Sequence, residues 1–109
     1  MEDVSLAAFF TSPSRAIDCA QAIRAAAAAL GLDVKAGVHI GECDVTKDGL
    51  SGPPVRVAAQ VSALANPGEV LVTSTVKDLV TETRAAFRFR GTTKLNGVSG
   101  TRTLYAVHD

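Results

Sequence analysis

Hydrophobic and polar positions along this chain follow two periods in turn, one typical of helices and the other typical of strands. Apolar side chains recur at three- and four-residue steps across Ser14–Leu30, which predicts a helix with one buried face. Ser12 and Pro13 are suited to begin that helix and Gly31 to end it. Across Val34–Ile40 every second residue is apolar, which predicts a strand with one face towards the core.

The rest of the chain continues this alternation of strands and helices. A second helix is predicted from Gly52–Pro54 to Asn66–Gly68, because prolines favour a first helical turn and Asn-Pro-Gly ends one. Thr46–Gly49 has the composition of a turn. Apolar runs and a capping serine predict four more strands and a short helix, namely Leu6–Phe10, Glu69–Thr73, Phe87–Arg90 and Thr101–Val107 as strands and Ser74–Val80 as the helix. The predicted order, β-α-β-α-β-α-β-β, indicates a single α/β domain of the α+β kind over residues 1–109.

Composition narrows the class of protein without identifying an activity. The 109 residues are 47% hydrophobic and carry 11 basic and 11 acidic side chains, as in ordinary globular domains. Because the net charge is zero, we expect neither nucleic acid nor an anionic membrane as a partner. The longest apolar stretch, Ala25–Leu30, is too short to span a bilayer, so we expect a cytoplasmic protein. With 5% aromatic residues, the core is expected to consist mainly of alanine and valine.

The reactive side chains form no catalytic or metal-binding motif. Cys19 and Cys43 fall in a helical and a strand-like stretch, respectively, and are expected to be free thiols. His39 and His108 are isolated, and no pair of Cys or His residues has the spacing of a zinc site. We expect His39 to be a packing or hydrogen-bonding residue. The chain also lacks a phosphate-binding glycine loop and a nucleophile elbow, so residue chemistry alone indicates only a small α/β domain.

Four segments, in a consistent order, resemble class III nucleotidyl (adenylate/guanylate) cyclase domains. Val34–Glu42 is similar to the family's R-A-G-L-H-T-G-E strand, and Asn66–Ser74 to its G-P-G-E-V-L-V-S stretch. Arg90–Val98 is similar to R-G-T-H-E-L-K-G-V, and Ser12–Arg24 to the helix that precedes the first of these strands. The resemblance extends over about Leu6–Val107. It implies a ferredoxin-like cyclase-homology fold that lacks its first strand, helices and second strand and is completed by dimerisation.

The catalytic positions of that family are changed wherever the resemblance reaches them. The family's second helix carries N-x-x-x-R, in which the Asn orients the ribose and the Arg stabilises charge on the phosphates; the matching residues are Arg56 and Gln60. The purine-selecting position falls at Gly49, with Asp48 adjacent. Asp3 lies close to the second metal-binding position, but the flanking glycines of the family are missing, so no residue is assigned to a metal. Because cyclisation needs Mg²⁺ or Mn²⁺ held by paired carboxylates, we expect no cofactor for the chain alone.

The resemblance makes a catalytically silent cyclase-homology domain of cyclic-nucleotide signalling, a pseudoenzyme, the leading interpretation. Such a domain is a regulatory or assembly partner, or a remnant that still folds. One alternative is a mixed dimer that converts ATP to cyclic AMP and diphosphate, in which a complete cyclase chain supplies Mg²⁺ or Mn²⁺ and this chain supplies Arg56. Another is an α/β module that binds a small ligand, with a nucleotide as one candidate. We expect the chain to form a homodimer or to pair with a second cyclase-type chain.

The helical period also predicts the orientation of the second helix. Arg56 and Gln60, which are four residues apart, are expected side by side on an exposed or interface-lining face. Val57, Val61 and Leu64 form a separate apolar stripe that is expected to face the sheet.

Overall fold

The computed structural model describes residues 12–41, 44–47, 49–80, 85–96 and 100–108. In chain order, the elements are α1 (Pro13–Ala29), β1 (Ala36–Val38), β2 (Asp44–Thr46), β3 (Gly49–Ser51), α2 (Pro53–Leu64), β4 (Val70–Thr73), α3 (Ser74–Leu79), β5 (Ala86–Lys94) and β6 (Thr101–His108). The strand expected at Leu6–Phe10 lies outside the described residues, as do Asp3, Cys43 and Asp48.

The local sequence explains both ends of α1. Ser12 has an extended backbone and its Oγ accepts a hydrogen bond from the Arg15 N–H at 3.4 Å, while Pro13 occupies the first turn. After the helix, Gly31 has a φ of +75°, a conformation that favours glycine. The predicted start and end of this helix are therefore confirmed. In the part of the chain that the structure describes, no helix is both long and apolar enough to cross a membrane.

In the described ranges, four strands form one mixed sheet in the spatial order β1-β4-β6-β5. β1 runs parallel to β4, whereas β6 is antiparallel to both β4 and β5. Within the described residues, β1 and β5 are the two edges of this sheet. Together with the three helices, the sheet gives the mixed α+β architecture that the sequence predicted.

Two predictions about strands are corrected by the structure. The sequence predicted only a turn at Thr46–Gly49, but this turn joins two short antiparallel strands, β2 and β3. Each has three residues, too few to show a period of two in the sequence. β5 continues beyond the predicted end at Arg90 as far as Lys94, because a bulge at this point and a φ of +152° at Gly91 allow the strand to resume its pairing with β6.

Aliphatic side chains fill the core on both faces of the sheet. The cluster on the side of α1 and α3 consists of Ile17, Val70, Val72, Val76 and Val107. The cluster beneath α2 consists of Val57, Val61, Ala65, Leu71, Leu95, Leu104 and Ala106. Among the described residues no aromatic ring is fully buried, in agreement with the prediction of a small-residue core. The expected large share of alanine is wrong, because the alanines of α1 are exposed or only half-buried.

The closest approach between a helix and the sheet occurs where α2 crosses β1. A Cβ atom at Gly37 would lie 2.5 Å from the Ala58 carbonyl oxygen and closer still to the Ser62 backbone nitrogen. Ser62 also donates a hydrogen bond from its Oγ to the Lys35 carbonyl at 3.2 Å. The absence of a side chain at Gly37 therefore allows the backbone of α2 to lie directly on the strand.

We expect the substitution Gly37→Ala to destabilise the fold by about 2–3 kcal/mol, because the added methyl group would overlap the backbone of α2. The free energy of unfolding in denaturant measures this effect. Gly31→Ala is the control, since its added methyl group meets no atom within 4 Å and only the positive φ opposes it, at a cost of about 1 kcal/mol. Equal stabilities of the two variants would contradict the proposed steric conflict.

Candidate functional site

Helix α2 carries, on its outer side, the two residues that occupy the positions of the cyclase motif. Two prolines begin the helix, and Val57 and Val61 are buried against the sheet, as predicted. Arg56 is exposed, and Gln60, one turn further along, is half-buried. The helix thus presents a cation and an amide away from the apolar core.

Leu64 departs from the predicted orientation, because 45% of its surface is exposed. The inward stripe of α2 continues from Val61 to Ala65, which is four residues on and 4% exposed, and this turns Leu64 away from the core. Leu64 instead lines an open groove of about 270 Å³, together with Leu71 and Leu104 of the sheet. Residues 90–93 of β5 complete the wall of this groove.

Gln60 is held by two hydrogen bonds to the backbone of Asn96, just after the end of β5. The Nε2 of Gln60 donates to the Asn96 carbonyl at 2.8 Å, and the Asn96 N–H donates to the Gln60 Oε1 at 2.6 Å. Both the nitrogen and the oxygen of the side-chain amide therefore form hydrogen bonds. These two bonds connect α2 to the β5–β6 hairpin. Sequence analysis did not identify Asn96, because a pairing between residues so far apart leaves no local pattern.

The position that the resemblance assigns to purine selection has no side chain. Gly49 begins β3 with a φ of +113°, in the region that favours glycine. Its neighbour Asp48 lies outside the described residues. At this position the described chain therefore offers backbone atoms and no side-chain group that could distinguish adenine from guanine.

A polar pair lies where β1 and β4 end. The Nδ1 of His39 lies 2.8 Å from the Oγ1 of Thr73, a residue that is fully buried and precedes the first turn of α3. Burial of the imidazole, and then the positive charge of Arg102, lower the pKa of His39 below its ordinary value. This confirms the prediction that His39 is a hydrogen-bonding residue. Thr73 was not identified in the sequence analysis, because its strand reads as a continuous apolar run.

Cyclase chemistry implies Mg²⁺ or Mn²⁺, and the described residues do not fit such a metal. In the described ranges, no three side chains of His, Cys, Asp or Glu lie close enough together to hold a metal ion. Cys19 is a half-buried free thiol, as expected. The Nδ1 of His39 is already directed at Thr73.

Comparisons with known proteins converge on one group. The family described as the adenylate and guanylate cyclase catalytic domain matches residues 12–109. A putative adenylate cyclase 3 from Rhizobium meliloti is 34% identical over 79 residues, which cover 65% of this chain and 14% of that protein. A crystal structure of an adenylate/guanylate cyclase/hydrolase from Silicibacter pomeroyi superposes with a TM-score of 0.75 at 23% identity, covering 89% of this chain and 62% of that one. The chain therefore spans less than two thirds of either relative, and the superposition on the Silicibacter structure shows a shared fold.

We expect Gln60→Ala to lower the free energy of unfolding by about 1–2 kcal/mol, because it removes both hydrogen bonds to Asn96. Hydrogen exchange at the Asn96 amide should accelerate in the same variant. The matched control is Arg56→Ala, one turn earlier on the exposed face, for which we expect a change within about 0.5 kcal/mol. If both variants had equal stability, the Gln60–Asn96 contact would contribute nothing.

Stability should depend on pH through His39. Because the folded-state pKa is lowered, the unfolded chain takes up a proton near the ordinary value of 6.5 while the folded chain does not. The free energy of unfolding is therefore expected to be constant above this pH, to fall as the pH decreases towards the folded-state pKa, and then to level off. Denaturant titrations between about pH 8 and pH 5 measure the slope. It should disappear in His39→Gln and persist in His108→Gln, and the reverse result would contradict the assignment.

Proposed function

Since the chain belongs to the adenylate and guanylate cyclase catalytic domain family, we propose that it is a cyclase-homology domain without cyclase activity of its own. In this proposal it serves cyclic-nucleotide signalling as an assembly or regulatory partner of another chain. The observation that carries the proposal is the contact between Gln60 and Asn96. At the position where the family motif has a cationic arginine, this chain has a neutral amide that is bonded to its own backbone.

Charge is the physical reason for proposing inactivity. Negative charge that develops on the phosphates during cyclisation needs preorganised positive charge, and loss of one such donor typically lowers the rate about 10²- to 10³-fold. Gln60 has no positive charge, and its N–H is directed at the Asn96 carbonyl. Arg56 places a long cationic side chain where the motif has an asparagine that orients the ribose. Neither residue has the chemistry of the motif position that it occupies.

A partner chain is the second part of the proposal. Among the described residues, β1 pairs only with β4, so no described strand occupies its other edge. A second copy of this chain or another cyclase-type chain could pair there and cover the edge.

A mixed dimer that is active remains the second candidate, and the exposure of Arg56 is the observation that favours it. In such a dimer a complete cyclase chain would supply the metal site, and Arg56 would supply a cation near the phosphates. This candidate predicts that activity of the mixture depends on Arg56, whereas the leading proposal predicts that it does not.

We expect the purified chain to make no cyclic AMP or cyclic GMP from ATP or GTP in the presence of Mg²⁺ or Mn²⁺. Mass spectrometry of the product, with a heat-inactivated sample as blank and an intact class III cyclase as positive control, measures this. Product that is abolished by Arg56→Ala would overturn the proposal of inactivity.

The same preparation allows the partner to be tested. Sedimentation at tens of micromolar should give a mass above that of one chain, and the mass of a single chain would exclude the homodimer.

Mixing with a metal-competent cyclase chain then separates the two candidates. The double variant Arg56→Asn/Gln60→Arg, checked for an intact fold, is expected to raise the activity of that mixture only if the outer face of α2 still lines a nucleotide cleft.

A further inference from the structure

The β5–β6 hairpin has a charge distribution unlike the rest of the chain. Residues 85–108 contain four cationic side chains, Arg88, Arg90, Lys94 and Arg102, and no Asp or Glu, although the whole chain has a net charge of zero. Within the described residues, Arg90 is the one member of this set that forms an ion pair, with Glu69 at 3.1 Å. These four cations therefore outnumber Glu69, the one carboxylate that forms an ion pair with them among the described residues.

One of these cations lines the groove beside Leu64, and two more lie on the same face of the sheet. Arg90 lines the groove directly. Arg88 pairs with Ala106, which belongs to the core cluster beneath α2, so Arg88 shares that face of the sheet. Arg102 lies two residues before Leu104 on β6 and is therefore on the same face as well. We call this surface the hairpin groove: Leu64, Leu71 and Leu104 form its apolar floor, and residues 90–93 form its rim.

The outer edge of β5 borders this groove. β5 has nine residues, and among the described elements it pairs only with β6. Its backbone N–H and C=O groups on the outer side are a template for another extended segment. The edge is long enough to pair with most of a typical strand.

We propose that the hairpin groove binds an acidic segment of a partner protein, which pairs in an extended conformation with the outer edge of β5. Backbone hydrogen bonds would supply much of the affinity. One apolar side chain of the segment would occupy the groove, and carboxylates two residues before and after it, on the same face of the segment, would meet the cations. The proposal goes beyond the proposed function, because it does not depend on the absence of cyclase activity.

Charge argues against the two other possible occupants. Pairing of β5 with β5 of a second copy would bring the cations of one strand against those of the other, which is destabilising. Nucleic acid would satisfy the cations but not the apolar floor of the groove, and a chain of zero net charge has no general attraction for polyanions. An acidic peptide with an apolar anchor satisfies both features.

Fluorescence anisotropy with labelled peptides tests the proposal on the full chain. The probe is Glu-Thr-Glu-Thr-Leu-Thr-Glu, in which Leu and all Glu residues lie on one face of an extended strand, and the charge control has Lys in place of each Glu. A third peptide is methylated on the backbone nitrogens of the middle Thr and of Leu. Because the N–H groups of successive residues point to opposite sides of a strand, one of the two lost donors faces β5 in either register. We expect saturable binding of the acidic probe, no binding of the basic one, and about tenfold weaker binding of the N-methylated peptide. A uridine oligonucleotide of the same charge should bind more weakly than the acidic probe.

Matched variants locate the binding surface. Arg88→Gln should weaken binding of the acidic probe about two- to fivefold, while Lys35→Gln, which removes an exposed cation outside the hairpin, should not. Leu64→Ala should weaken it, whereas Leu79→Ala, which shortens an exposed side chain on α3, should not. Bound probe should slow hydrogen exchange in β5 and leave β1 unchanged.

Several results would overturn the proposal. Equal effects of Arg88→Gln and Lys35→Gln would show that binding follows only the overall charge. Unchanged binding of the N-methylated peptide would exclude pairing between strands. Protection of β1 instead of β5, or tighter binding of the oligonucleotide than of the acidic probe, would place the site or the class of ligand elsewhere.

Discussion

The contact between α2 and β1 at Gly37 determines the positions of the other functional elements. Because no side chain separates the two backbones, α2 lies on the strand at the level of Ala58 and Ser62. This orientation directs its valines into the core and leaves Gln60 within reach of Asn96 on the hairpin. The geometry of the candidate site therefore depends on one close approach between helix and strand, and a larger residue at Gly37 would displace both the motif positions and the hairpin.

The parts of the fold that could be predicted are those with local signals. Ser12 and Gly31 act within one turn of α1, so its ends followed from the sequence. The consecutive apolar residues of β4 and the two prolines that begin α2 are also local signals. In contrast, β2 and β3 are too short to show a period, and the bulge at Arg90 depends on pairing with β6, which a single sequence does not reveal.

The candidate site was predictable only in part for a related reason. The helical period placed Arg56 and Gln60 on the outer side of α2, but it could not show that Asn96 would bond to the amide of Gln60. The helical period is also compatible with two versions of the buried face of α2, one that ends at Leu64 and one that ends at Ala65. Packing against the sheet selects Ala65, and the resulting exposure of Leu64 creates the apolar floor of the hairpin groove.

The pairing of β1 with β4 has a consequence for the order of folding. β5 and β6 are neighbours in the chain and meet through a short connection, so their hairpin closes at a small entropic cost. β1 must instead find β4 in a parallel register after β2, β3 and α2 have intervened, and its three residues contribute few hydrogen bonds to that encounter. Pairing of β1 with β4 is therefore expected late in folding. Until α2 has packed against Gly37, the edge of β4 that β1 covers in the folded domain would remain exposed.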